Sequence, residues 1–273
     1  VSAPPPDALV RLDRLLAERG CGGRKETQRL IRRGHVRVDG AEVLSIDLKV
    51  RPDARLEVDG EPCDPPPAVV AYHKPLHQLS ALRDPWGRAG LDYALPPRWR
   101  EALHPVGRLD ADTTGLLLFS ADGALTQRLL HPRRAVERAY VAAVAALPED
   151  LGARLAAGVE TSLGVFVGRL EARAAAVSPA LAASLEPSAV AAGEVRVAVT
   201  EGKHRMVRRM LHNAGASVLA LHRVRFGGVE LGALAPGGWR ALSAEEVAAL
   251  SSGALGASGA SGASGASGLT PPP

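Results

Sequence analysis

Between Val69 and Leu250 the sequence carries more strand-like runs than helix-like ones, and the two kinds do not alternate. Apolar and β-branched runs bounded by turn residues fall near 69–73, 104–109, 115–120, 137–145, 165–177, 194–200 and 216–230. Helical periodicity falls near 122–131, 148–157, 203–214 and 243–250. A doubly wound parallel sheet needs a helix after nearly every strand, so this order argues against one. It predicts an α+β fold: a mixed, mostly antiparallel sheet with flanking helices.

A smaller unit precedes it, over 8–61. LVRLDRLLAERG places Leu9, Leu12, Leu15 and Leu16 on one helical stripe and stops at Gly20. RKETQRLIRRGH repeats the pattern, with Leu30 and Ile31 inward and Gly34 as the stop. HVRVDG and RLEVDG then read as short strands, each ending in Asp-Gly, a hairpin signal. Residues 62–68 are a Pro-rich linker, semi-rigid by composition, and 69–250 form the larger unit. Residues 1–7 read as a flexible leader. Residues 251–273, with four successive ASG repeats from Ala257 to Gly268, are expected to be disordered. The chain starts at Val1 and not at Met, as expected of a processed chain or a fragment.

Charge is distributed unevenly. From Arg11 to Arg37 nine bases face three acids, whereas from Asp39 to Asp64 three bases face eight acids. Such asymmetry is expected where one face meets phosphates and the other meets water. Charge alone leaves nucleic-acid binding level with an Arg-rich solvated surface. Aromatics are only 3% of the chain, too few to read single strands mainly by stacking. Two cysteines, Cys21 and Cys63, are too few for a disulfide-stapled scaffold or a four-cysteine zinc site. No apolar run approaches the length of a membrane span. The eight histidines show no ligand spacing, so no metal is expected, and they read as surface or RNA contacts.

The segment richest in chemistry is HPVGRLDADTTGLLLFSADG, 104–123. Strand alternation would point Val106, Arg108 and Asp110 to one side. A carboxylate beside a guanidinium at a strand end suits a substrate. On residue types alone, an aspartate capping a turn with Thr113 and Thr114 fits as well or better.

GRLDADTTGLLLFSADG resembles the catalytic-aspartate motif of the RsuA/RluB group of ribosomal RNA pseudouridine synthases. Other segments agree in order. RLDRLLAERG to HVRVDG resembles the small RNA-binding module of a ribosomal protein and of tyrosyl-tRNA synthetases. YHKP with DPWGR is similar to the family's opening strand and loop. HPRRAVERAYVA resembles the segment holding its active-site tyrosine, and TEGKHRMVRRMLHNAG with LALHRVRFGGVEL resembles its closing motifs. The chain departs from the family at His77, where relatives usually carry glycine, and at Met206, where they usually carry Gln or Glu.

The resemblance implies isomerisation of uridine to pseudouridine in ribosomal RNA, with no cofactor and no metal. It implies Asp110, Tyr140 and Lys203 as catalytic residues. Asp110 would act on a flipped-out uridine and Tyr140 would stack on its base. Lys203, at the start of the 203–214 helix, would pair with Asp110 and keep it ionised. Arg108 would stand at the pocket mouth and Leu221 would pack under the base. Arg205, Arg208 and Arg209 would meet the RNA backbone. Asp112 would organise the loop. In the small module, Arg11, Arg24, Lys25, Arg29, Arg32, Arg33 and Arg37 are the expected RNA contacts. The motifs are divided between small-subunit and large-subunit RNA as target.

Two other readings stay open: a catalytically silent ribosome-assembly factor on the same scaffold, and a two-carboxylate hydrolase using Asp110 and Asp112. The hydrolase requires both side chains in one cleft. A monomer is expected, cytoplasmic in a bacterium or organellar, for example chloroplast, in a eukaryote.

Overall fold

A computed structural model of the chain describes residues 9–252 apart from Arg83, Pro85 and Glu101. The expected leader, and the expected tail from residue 253 onward, lie outside the described residues.

The N-terminal module contains β1 (Val10–Arg11), α1 (Leu12–Glu18), α2 (Arg24–Arg32), β2 (Val36–Val38), β3 (Ala41–Glu42), β4 (Lys49–Val50), β5 (Leu56–Val58) and β6 (Glu61–Pro62). Leu12, Leu15, Leu16 and Ile31 turn inward onto Val36, Val50 and Leu56. Leu9 lies ahead of the helix and stays exposed. Both Asp-Gly pairs form hairpin turns with the two residues at positive φ: Asp39 at 51° and Gly40 at 84°, Asp59 at 54° and Gly60 at 82°. That is the conformation a tight two-residue connection demands. The buried Arg19 guanidinium donates to the carbonyls of Cys63, Pro52 and Ala54 and so ties the end of the module to its helices. The two cysteines are few, but they are bonded to each other: Cys21 and Cys63 form a disulfide that closes the same region.

The larger unit contains β7 (Val69–Lys74), β8 (His104–Pro105), β9 (Thr113–Ser120), α3 (Gly123–Leu130), β10 (Arg138–Val144), α4 (Leu151–Ala157), β11 (Val159–Thr161) and β12 (Gly164–Phe166). It continues with β13 (Arg169–Ala174), α5 (Pro179–Ala182), β14 (Gly193–Val199), α6 (Met206–Asn213), β15 (Val218–Phe226), β16 (Val229–Glu230), β17 (Trp239–Ala241) and α7 (Ala244–Ser252). The main sheet runs β13-β14-β10-β15-β9-β7-β17, with β8 and β16 added at β9 and β15. Among the described residues its only parallel pair is β9–β15. The sheet is therefore mixed and mostly antiparallel. β9 is buried along its whole length: Leu117 and Phe119 enter one core, Leu116 and Leu118 the other. A strand covered on both faces reads as a continuous apolar run.

The parallel pair depends on Gly115. Its φ is +107°, and a Cβ there would stand 2.3 Å from the carbonyl oxygen of Arg223. The close approach brings Thr113 opposite Leu221, and so places the loop before β9 against β15.

Three local expectations change. The strand expected over 104–109 is only His104–Pro105, because Gly107 turns the chain at φ +83°. The run expected over 165–177 divides into β12 and β13, and the former pairs with β11 as a separate hairpin. Two histidines expected at the surface are buried: His73 on β7 and His222 on β15. Their rings meet edge to face at 5.2 Å; His73 Nδ1 bonds the Leu234 carbonyl and His222 Nδ1 bonds Thr114 Oγ1. Burial, then the neighbouring His73, pushes the His222 pKa down to about 4. Central strands leave no solvent for either ring.

His77 takes φ +62°, the left-handed conformation open to glycine, and its N–H donates to the Ala111 carbonyl at 2.8 Å. The backbone thus keeps the glycine geometry despite the side chain. For a residue with a Cβ this costs about 1–2 kcal/mol. Glycine's greater entropy in the unfolded chain offsets part of that. We expect His77→Gly to stabilise the protein by about 1 kcal/mol, a rise in Tm of roughly 2–4 °C. Thermal unfolding checks this; a lower Tm would show that the imidazole makes a compensating contact.

Candidate active site

The loop 107–112 is held at its backbone. Ser80 Oγ accepts from the Leu109 N–H at 3.0 Å and donates to the Leu109 carbonyl at 2.7 Å. The Ala111 carbonyl accepts from His77, and the Asp110 carbonyl accepts from the Thr113 N–H at 3.0 Å. With both neighbours pinned, Asp110 projects its side chain from a fixed loop, 29% exposed. Strand alternation does not orient it, contrary to expectation; a glycine turn and these anchors do.

The side chain faces a cavity of about 550 Å³, of the size that takes a small ligand. Tyr140 from β10 and Leu221 from β15 line it, both nearly buried, with Thr113 beside them. The register explains the grouping: Leu221 stands opposite Thr113 on one side and Ala142 on the other, and Tyr140 stands opposite Arg223. Farther along, Arg138 and Arg223 lie over the Phe226 ring at 4.9 Å and 5.2 Å. Arg138 donates to the carbonyls of Val136 and Thr200, and Arg223 to that of Leu116. The exposed Arg108 stands at the cavity mouth.

Lys203 lines the same cavity, but it does not meet Asp110. Its ammonium lies over the Phe166 ring at 4.9 Å and donates to the Leu163 carbonyl at 3.3 Å. Among the described residues no carboxylate lies within ion-pair distance of it. The expected pairing is therefore corrected, and the cause is local. Arg205 adopts φ 53° and ψ 23°, so α6 begins only at Met206. Lys203 is left in the preceding loop, against the β11–β12 hairpin.

Other cations surround the loop. Lys74, at the end of β7, is fully buried; its Nζ donates to the carbonyls of Pro75 at 3.0 Å and Thr113 at 2.9 Å. Burial pushes its pKa down to about 8, while the charges of Asp112 and Asp110 oppose the shift. Arg205 and Arg208, expected on the RNA backbone, turn to Asp112 instead. Arg205 Nη2 lies 2.8 Å from Asp112 Oδ2, and the largely buried Arg208 donates from Nη2 to the Asp112 carbonyl at 2.6 Å. Burial would raise the Asp112 carboxyl, but these arginines outweigh it and hold the pKa below the usual range. Among the described residues the basic side chain nearest Asp110 is His204, Nε2 to Oδ1 4.0 Å. Arg209 is partly exposed and bonds Ser162 Oγ at 2.9 Å. Met206, where relatives usually carry a polar residue, is buried in the apolar core.

Lys74, Arg138 and Arg223 were not among the expected site residues. A signal existed for Lys74: a lysine that ends the otherwise apolar run VVAYHK. Nothing comparable marked the two arginines, because only strand pairing brings them under the cavity.

In the N-terminal module, Lys25, Arg29 and Arg32 on α2 and Arg33 at its C-terminal cap stand exposed around a shallow basic hollow with Gln28. Arg24 and Arg37 are exposed too. Arg11 is committed within the module, to Asp13 at 3.0 Å and Asp47 at 2.9 Å, so it is not a free phosphate contact.

Residues 68–213 match the family described as RNA pseudouridylate synthase, and residues 10–56 match the S4 domain. A protein of Mycobacterium bovis named an uncharacterised RNA pseudouridine synthase is 36% identical over 248 residues, covering 88% of this chain and 92% of that one. Ribosomal large subunit pseudouridine synthase B of Escherichia coli O157:H7 is 35% identical, covering 85% of this chain and 79% of its own length. The Vibrio cholerae protein of the same name is 34% identical, covering 87% and 73%. A solved pseudouridylate synthase shares the fold at a TM-score of 0.56, with 24% identity, over 88% of this chain and 99% of that one. With an S4 domain ahead of a sheet that gathers Asp110, Tyr140 and Leu221 at one cavity, the chain belongs to the RNA pseudouridylate synthase family, enzymes that convert uridine in RNA to pseudouridine.

Proposed function

We propose that this protein isomerises a uridine of large-subunit ribosomal RNA, with Asp110 as the group that acts on the flipped-out nucleotide. One observation carries the reading: a carboxylate that, among the described residues, no arginine or lysine approaches within ion-pair distance faces a cavity lined by an aromatic ring and a leucine. The bond between ribose C1′ and uracil N1 breaks, the ring turns, and C1′ bonds to C5. The C5 proton is lost and N1 gains one, so atoms balance without a donor or a redox partner. The Asp110 carboxylate either adds covalently to the nucleotide or stabilises charge at C1′. Tyr140 stacks on the base and Leu221 packs against it. Arg108 occupies the space that the uridine leaves in the RNA, because unstacking costs a few kcal/mol. The relatives named for the large subunit support that choice of target.

The hydrolase reading loses its geometry. Asp112 does not line the cavity, and its Oδ2 is held by two arginines. Incubation with unmodified large-subunit and small-subunit RNA, followed by pseudouridine mapping, tests the proposal. Product in large-subunit RNA is expected. Product confined to small-subunit RNA would reassign the target, and none in either would overturn the reading.

The exposed bases of α2 are proposed to bind RNA phosphates. Arg29→Gln with Arg33→Gln should weaken RNA binding and lower the slope of log affinity against log salt by roughly 0.7–0.9 for each phosphate no longer neutralised. An unchanged slope would remove α2 from the interface.

A further inference from the structure

Two buried cations border the cavity at the end away from Asp110. Arg138 on β10 and Arg223 on β15 both line it, and both are more than nine-tenths buried. Their guanidiniums share one aromatic ring, 4.9 Å and 5.2 Å from the centre of Phe226. Arg138 donates to the carbonyls of Val136 and Thr200 at 3.0 Å and of Leu129 at 3.4 Å. Arg223 donates from Nε to the Leu116 carbonyl at 2.7 Å, and its buried Nη2 has no hydrogen-bond partner among the described residues. Two acids line the cavity, Asp110 and the exposed Glu201. Among the described residues neither of them, nor any other carboxylate, lies within ion-pair distance of Arg138 or Arg223.

Carbonyls and a ring face satisfy the donors of a guanidinium without neutralising it, so burying two such charges together is costly. Burial holds the Arg138 pKa below the usual arginine value; Tyr140 opposes the shift and Arg223 adds to it. The strands show what the two charges border. Arg138 and Tyr140 are two residues apart on β10 and share a face. Tyr140 stands opposite Arg223, which follows Leu221 by two residues on β15. Opposed residues of an antiparallel pair lie about 5 Å apart at Cα. Both arginines therefore flank the wall formed by Tyr140 and Leu221, where the base lies in the reaction described above.

That base acquires negative charge only during the reaction. When the bond from C1′ to N1 breaks, its electron pair stays on the ring and spreads over N1, O2 and O4. If Asp110 instead adds at C6, the displaced pair spreads over C5 and O4. In both cases a carbonyl oxygen of the uracil becomes negative, and the charge is discharged when C5 bonds to C1′, its proton leaves and N1 gains one. Phosphates carry their charge permanently, but they stay with the RNA backbone, on the side of the exposed Arg108 at the cavity mouth.

We propose that Arg223 and Arg138 form an oxyanion site for the base: Arg223 Nη2 donates to a uracil carbonyl oxygen as it becomes negative, and Arg138, over the same Phe226 ring, acts on it through space. Donors fixed where charge develops lower a barrier without first having to reorganise. The inference deepens the reading of Asp110 and rests on it.

Arg223→Met keeps much of the volume and removes both charge and donor. Single-turnover pseudouridine formation at saturating RNA should fall by roughly 100-fold. RNA Kd should stay within about twofold of wild type, and the salt dependence of binding should not change. Arg223→Lys, which keeps the charge, should react at least about fivefold faster than Arg223→Met. A second readout needs no turnover. In Asp110→Asn bound to RNA with 5-fluorouridine at the target position, fluorine NMR follows ionisation of the ring N3–H, which places charge on O2 and O4. Binding should lower that pKa by about 1, and adding Arg223→Met should abolish the fall. A wild-type rate in Arg223→Met, or a ring pKa that this substitution leaves unmoved, would overturn the proposal. So would a parallel loss of affinity and salt dependence, because the guanidinium would then serve a phosphate. Should Arg223→Met fail to fold, Arg138→Met decides: a several-fold slower rate at unchanged Kd and a raised ring pKa are expected, and no change in either overturns the inference. Absence of product from the wild-type protein would instead fall on the reading of Asp110 and take this one with it.

Discussion

Asp110→Asn is expected to reduce pseudouridine formation to background while RNA affinity stays within about twofold of wild type. The substitution keeps the side-chain volume and removes one negative charge. Among the described residues no hydrogen bond supports that side chain, and the loop is held through the backbone of Leu109, Ala111 and Thr113. The fold therefore has little to lose, and the melting temperature should change by no more than about a degree. Chemistry has everything to lose, because an amide neither adds to a sugar or base nor stabilises developing positive charge. Removal of a group that acts directly on the reacting atoms typically costs several orders of magnitude. Single-turnover assay, filter binding and thermal unfolding on one preparation separate the three effects. Measurable residual turnover at the same uridine would take Asp110 out of its assigned place.

The second large effect concerns Lys74. Its ammonium is buried beneath the loop and satisfies the carbonyls of Pro75 and Thr113. Lys74→Met fills similar volume without the donor. The buried Thr113 carbonyl and the half-buried Pro75 carbonyl then lose this partner, at about 1–3 kcal/mol for the buried one, offset by relief from burying a charge. The net change in stability at pH 7 is small compared with the change in rate. Thr113 adjoins the catalytic loop, and a displacement of about 1 Å there costs roughly 100-fold. The charge also has a signature in pH. The Lys74 pKa falls from 10.5 in the unfolded chain to about 8 in the folded one, chiefly by burial. Below pH 8 both states carry the proton and the burial cost is fully present. Between pH 8 and 10.5 the unfolded state binds more protons, so stability rises with pH by about 3 kcal/mol in all. The difference between wild type and Lys74→Met isolates this contribution from other titrating groups. A wild-type curve that runs parallel to the variant from pH 7 to pH 10 would show that Lys74 is not desolvated.

These effects separate what local pattern reveals from what it hides. The Asp-Gly turns of the small module, the apolar stretch of β9 and the amphipathic α2 follow from nearest-neighbour chemistry. Each was legible because turn geometry and side-chain periodicity act over a few residues. Lys203 shows the limit. Helical periodicity extends back to it, yet a single left-handed residue at Arg205 shifts the helix start by three positions and turns the ammonium away. Arg11 and Arg208 show another limit. Both are arginines in basic stretches, and both are bound to aspartates that sequence spacing did not assign to them. His73 and His222 likewise read as polar, and only the fold, which sets their rings against each other with the Leu234 carbonyl and Thr114 as partners, made them buried.

From residue order alone came the two-unit organisation, the mixed sheet and the aspartate motif, because periodicity, turn chemistry and motif spacing are written along the chain. Tertiary structure alone decided which cations serve which carboxylate. Ion pairing falls off within a few ångströms, and the pairs here join residues nearly a hundred positions apart, Arg208 to Asp112 above all. Strand register and one strained backbone residue set those distances, and neither is visible until the chain has folded.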